Sequence, residues 1–544
     1  RDEHIYLALL TDFKDGLQEH EVEDAALLQR AREGVAALNR RYRREGEDIF
    51  FLLHRPRKWN NRERRWMGYE RKRGKLSALN RLLHQGQEDA FSLVVGDTRV
   101  LRGVRYVVTL DADCQLPREA VTKLVGCMEH PLNRPRFDPG RQRVVEGYGV
   151  LQPRVATSLV SANRSLYARF FSGEPGLDPY TRVVSDVYQD LFQEGSFVGK
   201  GIYHVETFVQ ALEGKFPDNL ILSHDLLEGC YVRSGLVSDV QVYENFPARY
   251  SADVRRRHRW IRGDWQIIAW LLPRVPTGQG CWVANPLSGL SRWKILDNIR
   301  RSLVSPSLLL LVITGWLLLK PAWLWTAVTL ALIFFPLLLG AACGMLQRLG
   351  ERTWLGSLRA AFRSVAKHLV QACFFLIFLP YEAFLSADAI VRTIFRLLIT
   401  RRGLLEWTTS TESERRSEST LVQFFQMMWL APVISLAAGI SLFYFSPDAL
   451  NFAEFFLLCW FFSPSVAWWL SEPLVEWEPD LSEPQKYFLR RVARRTWSFF
   501  ATFVNAGTHW LPPDNYQEYP VRRVARRTSP TNMGLALLST LSAW

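Results

Sequence analysis

The chain is sparing with the residues that would staple it together or bind a structural metal. Its seven cysteines (Cys114, Cys127, Cys230, Cys281, Cys343, Cys373 and Cys459) are scattered, odd in number and never spaced as Cys-x-x-Cys. That excludes a disulfide framework and a structural zinc site, and it fits a reducing compartment. No internal repeat or low-complexity tract is present, so solenoid and disordered-tail classes fall away. A nucleic-acid reading module is missing too. The formal net charge of +13 therefore leaves anionic lipid or an anionic substrate as the partners to weigh. Long apolar runs are lacking before Arg301 and cluster after it, with much of the surplus Arg and Lys at their flanks. Two solvents are implied, water for the first part and lipid for the second. The chain opens on Arg-Asp-Glu-His without an initiating Met or a signal peptide, and the expectation is a piece of a longer polypeptide.

What is present before Arg301 alternates. Ile5–Leu10, Val104–Leu110 and Val144–Leu151 are short β-prone runs, each ending at polar residues, and Lys75–Leu83 and Arg118–Met128 between them have helical spacing. Alternation of this kind predicts an open α/β sheet, with ligands beyond the carboxyl ends of the strands, where Asp12, Asp111 and Asp113 fall. A helix is expected from about Ser251 to Leu272, then an amphipathic helix Trp293–Arg301 at a membrane boundary.

Four crossings are expected, over 303–319, 322–346, 421–445 and 455–470, each near the length that spans about 30 Å of hydrocarbon. The apolar segment 368–385 contains Pro380 and Glu382 and has basic residues on both sides, Arg348, Arg352, Arg359, Arg363 and Lys367 before it and Arg392, Arg396, Arg401 and Arg402 after it. Basic flanks on both sides put both ends in the cytoplasm, so the segment reads as interfacial or re-entrant. The expected organisation is a cytoplasmic α/β domain over 1–285, interface and transmembrane helices over 286–471, and a cytoplasmic linker over 472–544.

Several residues in the first part have types suited to transfer chemistry. Asp111-Ala112-Asp113 offers two carboxylates at a strand end, enough to bind a divalent cation beside a diphosphate, or simply a solvated turn. Asp12 is either a base or ribose contact or a turn residue. Arg71-Lys72-Arg73-Gly74-Lys75 is a phosphate-binding cluster or a solvated helix start. In Ser223-His224-Asp225, Ser223 reads as an N-cap; Asp225 is then either a general base or a first-turn acid favoured by the helix dipole. Arg256, Arg259 and Trp260 share one helix face, which suits a diphosphate beside a stacked sugar or a helix resting on lipid headgroups.

Taken in order, these motifs resemble the processive inverting glycosyltransferases of cellulose-synthase type, whose signature is Asp, Asp-x-Asp, a (Thr/Ser)-(Glu/His)-Asp triplet and Gln-x-x-Arg-Trp ahead of a membrane channel. Arg256 stands where that signature has Gln. Gly195-Ser196-Phe197-Val198-Gly199-Lys200-Gly201 resembles the element beneath the acceptor sugar. Phe51–Trp59, Met67–Leu76, Glu174–Gly201, Ile221–Gly229 and Arg256–Leu272 are similar, more specifically, to the glycosyltransferase part of bacterial cyclic β-1,2-glucan synthases. The resemblance implies a glycosyltransferase-A fold, with a first strand lying upstream of this chain, joined to a transmembrane region at a bacterial inner membrane. It implies UDP-glucose as donor, Mg²⁺ or Mn²⁺ at Asp111 and Asp113, and a growing β-glucan as acceptor. Asp225 would be the base. Asp12, Lys72, Arg256 and Arg259 would hold the nucleotide sugar, and Trp260, Gly199 and His224 the acceptor. Cyclisation would belong to a further domain of the same polypeptide. Another processive β-glycan synthase and a non-catalytic permease subunit are the competing readings.

Overall fold

A computed structural model describes residues 4–42, 47–172, 187–348, 354–407, 414, 419–474 and 481–543. The resemblance at residues 173–186 and the flank residue Arg352 lie outside them. Two compact units form, Arg1–Leu474 and Val475–Trp544.

Two of the β-prone runs contain strands of the first unit, Ile5–Leu10 overlapping Leu7–Asp12 and Val104–Leu110 containing Tyr106–Thr109. Leu7–Asp12 pairs in parallel with Phe50–Arg55, which pairs antiparallel with Leu93–Val95. A four-stranded mixed sheet has the order Ser234–Glu244, Val150–Thr157, Gly201–His204, Tyr106–Thr109. The run Val144–Leu151 is not one strand, because it is divided into Arg143–Glu146 and Val150–Thr157. Instead of one open sheet, two main sheets share a core. Leu10 of the first and Val107 of the second both pack on Leu53, Leu79 and Leu82. Leu79 and Leu82 belong to the helix Arg71–Gln85.

The helix Tyr250–Gln266 forms as expected, continuing into a short 3-10 turn. Gly289–Ser302 contains the expected amphipathic segment, and its Ile295 and Ile299 pack with Leu227, Tyr231 and Trp270. Packing therefore continues across residue 285.

Among the described residues one helix is long and apolar enough to cross a membrane, Val365–Thr400, or up to three spans exist if each bent pair counts as one. This revises the expectations helix by helix. The segment 368–385 makes no re-entrant break; it runs inside the continuous helix Trp354–Phe395. Within it Glu382 is paired inside the protein, accepting from Tyr250 Oη at 2.7 Å and from the Arg257 guanidinium. Over 421–445 the helices Leu421–Met427 and Leu430–Phe445 meet at 64°, and Pro447–Phe461 meets Ser463–Ser471 at 45°. Val304–Leu317 and Ala322–Pro336 are apolar but shorter.

The second unit, read as a linker, has structure of its own. It comprises the helix Glu483–Phe503, a hairpin of Asn515–Gln517 with Arg523–Ala525, and the helix Pro530–Ala543.

Candidate active site

A cavity of about 1570 Å³ runs along Leu7–Asp12 and Tyr106–Thr109 and past their carboxyl ends. Asp12, Lys72, Asp111, Asp113, His224, Asp225, Arg256, Arg259 and Trp260 all line it, as do Val198 and Lys200 on either side of Gly199. Residues spread over some 250 positions of sequence thus meet at one place.

The strand-end acids are held by cations. Strand pairing sets Asp12 opposite Arg55, which donates to both carboxylate oxygens at 2.8 Å. Lys75 Nζ lies 4.0 Å from Asp12, and Lys72 Nζ donates to Asp111 Oδ1 at 2.7 Å and to the Gly199 carbonyl at 2.8 Å. Arg71 turns away to Asp15. The basic cluster is therefore not a solvated helix start. Lys200 Nζ bridges Asp111 at 3.1 Å and Glu244 at 3.0 Å. Burial would raise the Asp111 carboxyl, but Lys200 and Lys72 outweigh it and hold Asp111 well below its ordinary value. Burial and the charge of Asp111 instead push Asp113 up. Ligand atoms of Asp111, Asp113 and Cys114 lie within 4.8 Å of one another. Burial raises the Cys114 thiol to about 11, so the two carboxylates are the donors suited to a hard cation.

Asp225 is the first residue of the helix Asp225–Val232, whose N-cap is His224 rather than Ser223 and makes no side-chain capping bond. Beside it Gly199 has φ +82°, and a Cβ there would lie 2.6 Å from Asp225 Oδ1. Glycine is required at that position by both its backbone conformation and its contact. His224 and Glu228 lie beneath Asp225, almost fully buried. Atoms of these three residues also lie within 4.8 Å of one another.

The Arg-Trp helix is fixed to the segment that carries Asp225. A Cβ on Gly263 would lie 2.3 Å from Ser223 Cβ, so the glycine permits close approach. Gln266 Oε1 accepts from the Leu222 amide at 2.8 Å. The Arg256 guanidinium lies 4.7 Å from the Trp260 ring centroid and donates to Asp253 at 2.8 Å. Burial, with the charges of Arg256 and Arg262, brings Arg259 down to about 10. A cation placed like this gains from a bound anion.

Sequence reasoning missed Lys200, Glu244 and Trp407, which also line the cavity. Lys200 had a signal, a cation between Gly199 and Gly201. Trp407 had none, because its loop is drawn in by long-range bonds from Arg71 to the Leu405 carbonyl and from Arg262 to the Glu406 carbonyl.

No protein-family model matches the chain. It is 42% identical over 548 residues to the cyclic β-(1,2)-glucan synthase NdvB of Rhizobium meliloti (strain 1021), an alignment that covers 99% of this chain and 19% of that protein. The chain is related to that synthase along nearly its whole length and spans about a fifth of it.

Proposed function

We propose that this chain is the sugar-transfer part of a synthase that polymerises glucose from UDP-glucose into β-1,2-glucan. The observation that carries the reading is the convergence of Asp111, Asp113, Lys72 and Lys200 with Asp225 and the Arg256–Trp260 helix face on one cavity. Its relationship to a cyclic β-(1,2)-glucan synthase supports the glucan and the linkage. The strand-end positions of Asp12 and Asp111 support a glycosyltransferase-A architecture.

Asp225 acts as general base, removing the acceptor hydroxyl proton as the oxygen attacks the anomeric carbon. The carbon–oxygen bond to UDP breaks from the opposite side and UDP leaves with its electron pair, so one displacement turns an α-linked donor into a β-linked product. Lys72, Lys200 and Arg259 face the leaving diphosphate, and Arg256 orients Trp260, on which the terminal sugar stacks. Mg²⁺ or Mn²⁺ fits Asp111 and Asp113, and it would supply counter-charge for the diphosphate. Asp12, already paired with Arg55, presents its strand end to the nucleoside.

One helix able to span a bilayer and two bent apolar pairs support a multi-pass protein of a bacterial inner membrane, with the cavity on the cytoplasmic side. Cyclisation falls to further domains of the same polypeptide, and nucleic acid is not a partner. The test uses membranes bearing the full-length synthase, supplied with labelled UDP-glucose and followed by linkage analysis of the product. Label in 1,2-linked glucose is the expected result. Label in 1,3- or 1,4-linked chains reassigns the chain to another processive synthase, and an absence of any polymer overturns the reading.

A further inference from the structure

The second unit carries a helix that folding leaves without an interior. Glu483–Phe503 starts at a capping box made by Ser482 and Gln485, and none of its 21 residues is buried. Phe488, Val492, Phe499 and Phe503 recur at helical spacing and form one stripe, with Leu489 and Phe500 beside it. Arg490, Arg491 and Arg494 fall on the opposite side with Tyr487 and Trp497 among them, and Arg495 stands at the border. The stripe is covered at one end only. Phe499, Phe503 and Tyr516 of the hairpin follow one another at ring distances of 5.3 and 4.9 Å, whereas Phe488, Leu489 and Val492 are 62%, 50% and 44% exposed. The helix Pro530–Ala543, packed beside it, leaves Leu535, Leu537, Leu538 and Leu541 at least half exposed.

The cations are open as well. Among the described residues no carboxylate pairs with Arg490, Arg491, Arg494 or Arg495, and Lys486 alone in this helix has one, Glu483. Residues 481–543 hold nine Lys and Arg against three Asp and Glu, so the unit attracts anions. A partner has to satisfy both faces at once. An acidic protein surface meets the guanidiniums and leaves the phenylalanine in water; an apolar protein face does the reverse. An anionic bilayer surface does both, because acyl chains lie just beneath the phosphates and an arginine stem can run along the helix side to reach them. The tether is short too. Ser471 ends the last apolar helix and Glu483 opens this one, which leaves at most about 40 Å of extended chain between them.

We propose that the helix Glu483–Phe503 lies flat on an anionic phospholipid surface, with Phe488, Leu489 and Val492 among the acyl chains and Arg490, Arg491, Arg494 and Arg495 at the level of the phosphates. The inference rests on the reading of the first unit as membrane-embedded. It makes the stretch expected to be a cytoplasmic linker a peripheral anchor, whose hold depends on lipid charge.

The experiment makes Phe488→p-benzoylphenylalanine, and the same replacement at Val492 and at Arg491, in the full-length synthase. Each protein is reconstituted in nanodiscs of phosphatidylglycerol with phosphatidylcholine, or of phosphatidylcholine alone, and the photo-adducts are identified by mass spectrometry. Expected are acyl-chain adducts from the Phe488 and Val492 positions and at least about fivefold fewer from the Arg491 position. Leaving out phosphatidylglycerol should lower the Phe488 adducts at least about fivefold. R490Q, R491Q, R494Q and R495Q combined should lower them, in the anionic discs, to the level of the neutral ones. Adducts from the Phe488 position to the polypeptide itself or to a second copy, or none at all, overturn the proposal, as does an equal yield in neutral discs. The same probe at Phe443, which is 64% exposed on the apolar helix Leu430–Phe445, separates the two readings. Acyl adducts from Phe443 without any from Phe488 sink only the anchor, and their absence from both sinks the membrane reading with it.

Discussion

A methyl group on Gly199 would lie 2.6 Å from Asp225 Oδ1, so the loop from Gly195 to Gly201 is built against Asp225. The Gly199 carbonyl also accepts from Lys72, which holds Asp111. Asp225 and the strand-end acid pair are thus joined through one residue that has no side chain.

Gly199→Ala should therefore damage both stability and catalysis. The positive φ alone costs about 1–2 kcal/mol for an L residue, and the added carbon displaces Asp225. A lowered melting temperature with a kcat loss of about tenfold or more is expected, measured on the same preparation. Wild-type turnover would mean that Asp225 need not stay where it lies.

Asp225→Asn keeps the shape of the side chain and removes its capacity to take a proton. Incorporation of labelled glucose should fall by about 10²–10⁴-fold while UDP binding, followed by calorimetry, stays within about twofold. Loss of UDP binding as well would point to a donor-binding role instead.

Lys200 bridges Asp111 and Glu244 with its side chain 13% exposed. Lys200→Met takes one of two lysines from Asp111, which keeps Lys72, and removes the ion pair with Glu244, so UDP affinity should fall by about tenfold, in keeping with the loss of one charged hydrogen bond. Adding Glu244→Gln should recover part of the lost stability but not the affinity. Unchanged UDP affinity in the single variant would remove Lys200 from the donor site.

The Arg-Trp helix is tied to the long apolar helix by Arg257 and Glu382. Glu382→Ala takes one of two carboxylates from Arg257, which keeps Asp253, and leaves the buried Tyr250 hydroxyl without its acceptor, a loss of roughly 1–3 kcal/mol that a thermal melt in detergent would register. A melt like that of the wild type would show that the pair is not sealed from water.

The pH dependence of stability carries the signature of His224. Burial depresses it below the ordinary 6.5, so the unfolded chain binds the extra proton first, and the stability contributed by the neutral ring is present above 6.5 and lost as pH falls. The melting temperature of wild type relative to H224Q should therefore drop between pH 7.5 and about 5.5. A difference that does not vary with pH would mean that the imidazole is solvated.

Local chemistry made much of this protein legible from its sequence. β-Prone runs ending in acids gave the strands that carry Asp12 and Asp111, and helical spacing put Arg256, Arg259 and Trp260 on one face, because periodicity and strand ends are properties of neighbouring residues. Tertiary structure decided what distant segments do to one another. Only the fold brought Lys200 onto Asp111, drew Trp407 to the cavity and paired Glu382 with Arg257. Those outcomes depend on burial and on partners more than thirty residues away in sequence, and no local pattern encodes either.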